Sequence, residues 1–122
     1  MVGLTNVPLR GDAIWIGFNP QTGHEQAGRR PAVVLTTKDF NDKTSLVVLC
    51  PITRSSAREQ WNPFAITIPE GLEVDGVILA DQIRTMGWRA RRAEYICSLP
   101  TETVDAVLER IRSASENIIG FS

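Results

Sequence analysis

The hydrophobic pattern of this chain changes period once, near residue 100, and that change limits the fold more than any motif does. Before it, apolar residues come in short runs bounded by Gly, Pro, Asn and Asp; after it, they recur every three or four residues. Val104, Val107, Leu108, Ile111, Ala114, Ser115 and Ile118 form one moderate stripe, as expected of a helix that lies on a sheet with its polar side in water. Ser98 or Thr101 can cap its start, Pro100 suits its first turn, and Gly120 ends it.

The runs before residue 100 read as strands. Asp12 to Phe18 is rich in β-branched and aromatic residues and is stopped by Asn19-Pro20. Pro31 to Thr37 is a near-continuous apolar run, as in a strand buried on both faces. Ser45 to Thr53 is another, but Pro51 removes one ladder donor and so implies an edge, a bulge or the strand's end. Phe64 to Ile68 alternates, Gly76 to Leu79 is short and buried, and Arg91 to Ser98 forms the last strand, with Ala93, Tyr95 and Cys97 on one face. Lys38 to Thr44 reads as a polar turn. The longer Arg54–Asn62 loop carries Trp61, which suits either a mobile binding loop or a hydrophobic lid. Many short strands and one amphipathic helix predict a small, mostly antiparallel barrel: one α+β, mostly β domain over residues 1–122.

A length of 122 residues supports one core, and a formal net charge of −1 excludes a global electrostatic field for nucleic acid. RNA or DNA would have to meet a local basic surface, which Arg29, Arg30, Arg54, Arg58, Arg84, Arg89, Arg91 and Arg92 can supply. Trp88 to Arg92 has the composition of such a patch, but its spacing puts arginines on both faces and favours a strand edge or turn. Cys50 and Cys97 lack the spacing of a zinc site or redox pair, and Cys50 reads as a small buried hydrophobe. Met1 to Asn6 lacks a basic segment and a continuous apolar core, and no apolar stretch approaches the roughly 20 residues of a membrane span, so a soluble cytoplasmic protein is expected.

Chemistry concentrates between Gly23 and Pro31. This stretch holds the chain's one histidine, His24, beside Glu25, Gln26, Arg29 and Arg30, and it runs directly into an apolar strand. Polar connections of this kind are also common without function, and the residues alone leave both readings open.

The sequence resembles the MazF/PemK family of bacterial toxin endoribonucleases. The resemblance rests on Gly11-Asp12 through Trp15, Gly23 to Leu35, Pro51-Ile52-Thr53, Asn62-Pro63-Phe64, Gly76 to Arg84, and Trp88-Arg89-Ala90-Arg91, in order over nearly the whole chain. It implies an SH3-like barrel of the CcdB/MazF/PemK type with a C-terminal helix, and usually a homodimer. It also implies sequence-selective cleavage of single-stranded RNA, often mRNA, with no metal ion or cofactor. The partner it implies is a MazE-like antitoxin whose disordered tail blocks the RNA groove, and the outcome of activity is growth arrest.

Such cleavage uses the substrate's own 2′-hydroxyl, so the protein must supply a base, an acid for the departing 5′-oxygen, and donors for the phosphorane charge. Arg30 matches the family's essential arginine. Its guanidinium can bind two phosphate oxygens, while a group that keeps its proton so firmly is a poor base, so charge stabilisation is its expected role. The competing role is a salt bridge to Glu25 or Asp81. Thr53 matches the catalytic threonine and can donate a hydrogen bond to a phosphate oxygen. His24 matches a histidine of the PemK branch, and a loop histidine bonded to a carbonyl is an equally good reading. Asp81 matches the base of that branch, but Leu79 stands where the partnering arginine is expected, so orienting an arginine or closing a turn is an alternative. Glu25, Gln26, Arg54 and Gln82 are candidate RNA contacts. Gly17 and Asn19 replace the acidic residues of many relatives, which implies an altered sequence preference.

A CcdB-type gyrase poison without nuclease activity is the alternative from another class. The chain ends Ile118-Ile119-Gly120-Phe121-Ser122, without the tryptophan that such a poison uses. A catalytically silent relative is the third reading, against which Arg30 and Thr53 both stand.

Overall fold

The computed structural model describes residues 6–18, 28–54 and 62–116. Its elements run β1 (Asp12–Gly17), β2 (Arg29–Val34), α1 (Lys38–Thr44), β3 (Leu46–Thr53), β4 (Ala65–Thr67), β5 (Val77–Leu79), β6 (Arg84–Gly87), β7 (Glu94–Ser98) and α2 (Thr101–Ala114). All strand pairs are antiparallel, in the order β4-β5-β3-β2-β1-β7, with β6 also on β3. The expected class, a mostly β antiparallel fold with a C-terminal helix, is the one observed.

Side-chain alternation splits the interior in two. Ala13, Val33, Cys50, Ile52 and Ile78 point to one side and meet Val104 and Val107 of α2. Ile14, Ile16, Ala32, Val34, Val47 and Leu49 point to the other, where Met86 and Trp88 cover them and Phe18 packs at the margin. Burial on both faces explains why β2 and β3 read as continuous apolar runs.

The strand β3 changes neighbours along its length. Its first half pairs with β6, from Leu46↔Gly87 to Leu49↔Arg84, and its end pairs with β5, at Ile52↔Ile78 and Thr53↔Val77. Pro51 falls in the gap between these ladders, where its missing N–H leaves neither ladder short of a donor. Pro51 thus lies inside the strand, at the seam between partners.

Four points of the fold correct or complete what the sequence led one to expect. Lys38–Thr44 is a helix and not a turn: the Thr37 side chain caps Phe40, and Ser45 closes the end in the left-handed region. It escaped the apolar pattern because its anchor is polar. Asn41 is fully buried, donates to the carbonyls of Pro8 (2.8 Å) and Thr36 (3.1 Å), and accepts from the Thr36 hydroxyl (2.5 Å). Arg84–Gly87 is a strand without an apolar run, held by pairing with β3. In α2, Pro100 occupies the cap position without a side-chain bond, and its carbonyl accepts from Thr103 and Val104. Ser98 donates instead to Asp12 (3.4 Å) and bonds Tyr95 (2.9 Å), while Thr101 is already helical.

The last strand is the fourth correction: it begins at Glu94 and not Arg91. A register shift against β1, from Ala13↔Cys97 to Ile14↔Tyr95, breaks its alternation, so Cys97 is buried and Tyr95 is more than half exposed. The proposed helix end at Gly120, and Trp61 with most of the Arg54–Asn62 loop, lie outside the described residues.

Candidate active site

Two adjacent arginines begin β2, and the fold gives them opposite surroundings. Arg29 donates to the carbonyls of Arg91 (3.4 Å) and Arg92 (3.2 Å) and forms an ion pair with Glu94 at 2.8 Å. Its side chain is 10% exposed, and it pins the turn before β7. Arg30 is exposed, and among the described residues no carboxylate pairs with it. Its contact is the ring of Phe18, 5.9 Å from the guanidinium carbon to the centroid.

Thr53 lies toward the same end of the sheet. The β2–β3 ladder runs from Val34↔Leu49 to Ala32↔Pro51 and ends there, with Arg30 two residues beyond its last pair on β2 and Thr53 two residues beyond it on β3. Alternation along β3 puts Thr53 on the face of Val47 and Leu49, opposite that of Cys50 and Ile52. Arg30 shares that face with Ala32 and Val34. Residues 23 apart in sequence thus lie on one sheet face just past the end of this ladder, Thr53 half-buried and Arg30 exposed.

The backbone at Thr53 is held by a close approach. Gly76 has φ +116°, and a Cβ there would lie 2.1 Å from the Thr53 carbonyl oxygen. No side chain fits between the strands at this point, so Gly76 allows β5 to press against the end of β3. The bond from Ile68 N–H to the Gly76 carbonyl, 2.9 Å, closes the same corner.

Asp81 and Gln82 lie in the exposed turn between β5 and β6. The Asp81 carboxylate accepts from Asn62 Nδ2 at 3.3 Å, and the Asn62 side chain also accepts from Phe64 N–H at 2.9 Å. Asp81 does not pair with Arg30, so the expected alternative of a salt bridge between these two is corrected: its described partner is an amide. Its charge reaches Cys50, whose thiol is pushed up to about 12 by burial first and by Asp81 second. Cys50 is completely buried and protonated at neutral pH, the small hydrophobe its apolar run implied. Arg54 follows Thr53 and is exposed. His24, Glu25 and Gln26 lie outside the described residues.

Phe18 and Arg84 complete this end of the molecule; nothing in the sequence marked Phe18 as a site residue, and Arg84 stood there only as one of eight arginines able to supply a basic surface. Arg84 places its guanidinium carbon 5.2 Å from the centroid of the Phe18 ring, the ring that Arg30 also touches. The signal was weak because Arg84 sits in a strand without an apolar run. Gly76 was legible only as the start of a strand.

The other arginine-rich stretch is structural. Trp88 is buried and its indole N–H donates to the Asn41 carbonyl at 2.8 Å. Arg89 lies over the Trp88 ring at 4.2 Å, pairs with Asp42 at 3.2 Å and bonds the Ser45 hydroxyl. Arg91 donates to the Gly17 carbonyl at 2.7 Å. These residues form the turn favoured by their spacing, and these bonds turn Arg89 and Arg91 toward the protein itself.

Comparison with known proteins agrees with this architecture over most of the chain. Residues 9–114 match the family described as PemK-like, MazF-like toxin of type II toxin-antitoxin system. The endoribonuclease toxin MazF of Escherichia coli K12 is 41% identical over 105 residues, covering 86% of this chain and 91% of that protein. The crystal structure of MazF (Form-I) from Deinococcus radiodurans superposes with a TM-score of 0.78 at 39% identity, covering 95% of this chain and 99% of that one. A MazE-MazF crystal structure (Form-II) from the same organism gives 0.77 at 36%, with 96% and 99% covered. A gyrase poison gains no support from these matches. By the extent of the family match and the identity to its relatives, the chain belongs to the PemK-like, MazF-like toxin family of type II toxin–antitoxin systems.

Proposed function

We propose that this chain is a toxin endoribonuclease that cleaves single-stranded RNA, with mRNA as its target, selectively by sequence and without a metal ion. It acts in the cytoplasm as a homodimer, and a MazE-like antitoxin holds it in check. The family membership and the names of its relatives support the activity. The observation that supports the mechanism is that Arg30 and Thr53 share one sheet face just past the end of the β2–β3 ladder, with no described carboxylate to neutralise the guanidinium.

In the reaction, the 2′-hydroxyl oxygen of one nucleotide bonds to the adjacent phosphorus as the bond from phosphorus to the 5′-oxygen breaks. The products are a 2′,3′-cyclic phosphate and a 5′-hydroxyl. One proton leaves the 2′-oxygen and one is delivered to the 5′-oxygen. Arg30 grips the nonbridging oxygens and strengthens its hold as their charge grows, and its guanidinium can also donate a proton to the leaving oxygen. The Thr53 hydroxyl donates to the same phosphate without ionising. His24 and Asp81 are the candidates for taking the 2′-proton. The bond from Asn62 supports the alternative role of Asp81, that of closing the β5–β6 turn. Glu25, Gln26, Arg54 and Gln82 contact the RNA.

The test is incubation with a long single-stranded RNA in EDTA. Discrete fragments ending in 2′,3′-cyclic phosphate are expected, and Arg30→Ala should slow their formation by about 10²–10³-fold, the usual loss on removing one charge-stabilising donor. Equal survival of the RNA with wild type and Arg30→Ala would end this reading.

A further inference from the structure

Phe18 receives two guanidiniums from strands that do not pair with each other. Arg30 comes from β2 and Arg84 from β6, with β3 between them, and their guanidinium carbons lie 5.9 and 5.2 Å from the same ring centroid. The two cations are therefore no further apart than the sum of those distances. Both side chains are exposed, and among the described residues neither has a carboxylate partner. Asp81, three residues before Arg84, is engaged by Asn62.

Two exposed like charges held beside one ring repel only weakly in salt water, and the negative face of the ring suffices to keep both guanidiniums there. An anionic strand lying across both finds two cations already gathered and unpaired by any described carboxylate. Single-stranded RNA carries one phosphate per nucleotide, so a backbone that sets one phosphate on Arg30 brings the next within reach of a neighbouring cation. We propose that Arg84 binds the phosphate adjacent to the one that is cleaved, and that Phe18 fixes the spacing of the two contacts. This inference rests on the reading of Arg30 as the ligand of the scissile phosphate. It assigns Arg84 to holding substrate, with Arg30 left to the reacting atoms, so the two arginines differ in the step they serve.

The experiment combines cleavage kinetics on a long single-stranded transcript with anisotropy binding of a mixed-sequence single-stranded DNA, which lacks the attacking 2′-hydroxyl. Binding is measured between 50 and 200 mM salt, with the full chain and with melting curves for every variant. Arg84→Ala should weaken DNA binding by about tenfold and flatten the plot of log affinity against log salt by about 0.7, the slope of one phosphate contact on a single strand. It should raise KM while kcat stays within about threefold of wild type. Arg84→Lys should restore the salt slope, because the charge returns.

Unchanged affinity and salt slope in Arg84→Ala overturn the proposal. So does a fall in kcat with the slope intact, which assigns Arg84 to shaping the fold around Arg30. If Arg30→Ala is inactive while Arg84→Ala behaves as wild type, only this inference fails. If Arg30→Ala cleaves normally, the reading beneath it fails as well.

Discussion

Each end of the β6 strand carries an arginine against an aromatic ring, and the two contacts differ in one respect. At the Trp88 end, Arg89 sits over the ring and is neutralised by Asp42. At the Phe18 end, Arg30 and Arg84 share a ring and have no described carboxylate. The ring is buried and bonded at Trp88, and marginal at Phe18. A cation whose charge is met inside the protein works for the fold, whereas one left unmatched at a strand's end is available to an anion from outside. Composition does not separate these cases, since both ends read as arginine-rich; the counter-charge does.

The comparison can be broken first at its structural end. Trp88→Ala removes a buried indole and the donor to the Asn41 carbonyl, and should cost about 3–5 kcal/mol of unfolding free energy. Urea titration measures it. A loss below about 1 kcal/mol would mean that Trp88 is not what holds α1 and the β6 turn together.

The next test supplies the missing counter-charge. Thr53→Val removes the hydroxyl at nearly constant shape and should slow RNA cleavage by about 10²-fold. Thr53→Asp adds a carboxylate on the sheet face that carries Arg30 and should fall below Thr53→Val in rate, without loss of thermal stability. Equal rates for the two variants would show that the unmatched charge of Arg30 is not what the reaction uses. The smallest effect belongs to the paired end. Asp42→Asn should change unfolding free energy by at most about 1 kcal/mol, since both partners are about half exposed, and should leave cleavage rates at the wild-type value. A slower enzyme would extend the site to the Trp88 end.

The parts of the fold that were legible in the sequence are those stabilised by apolar burial. β1, β2, β3 and α2 announced themselves through runs or periods, and their ends shifted by a few residues. The parts that were not legible are stabilised otherwise: α1 by a buried asparagine, β6 by backbone pairing, and the bend of β7 by a register shift. At the site, Arg30 and Thr53 were visible through family resemblance, but that they lie past the same end of one ladder follows from a register that no local pattern encodes. Arg29 and Arg30 illustrate the limit, because adjacent identical side chains take different work from the strand's alternation and the neighbours on each side. Phe18, and what sets Arg84 apart from the other arginines, were hidden for the same reason.

The close packing of Gly76 on Thr53 also bears on how such a chain would lose its effect under selection. A cell harmed by an active copy survives by disabling it, and the smallest changes available are single substitutions. At Gly76 every substitution adds a Cβ where the Thr53 carbonyl already stands, so the whole set of replacements is disruptive there. Among survivors, lesions should therefore gather at Gly76 as well as at Arg30 and Thr53, marking a position that touches no RNA and is recognisable only by the space it leaves empty.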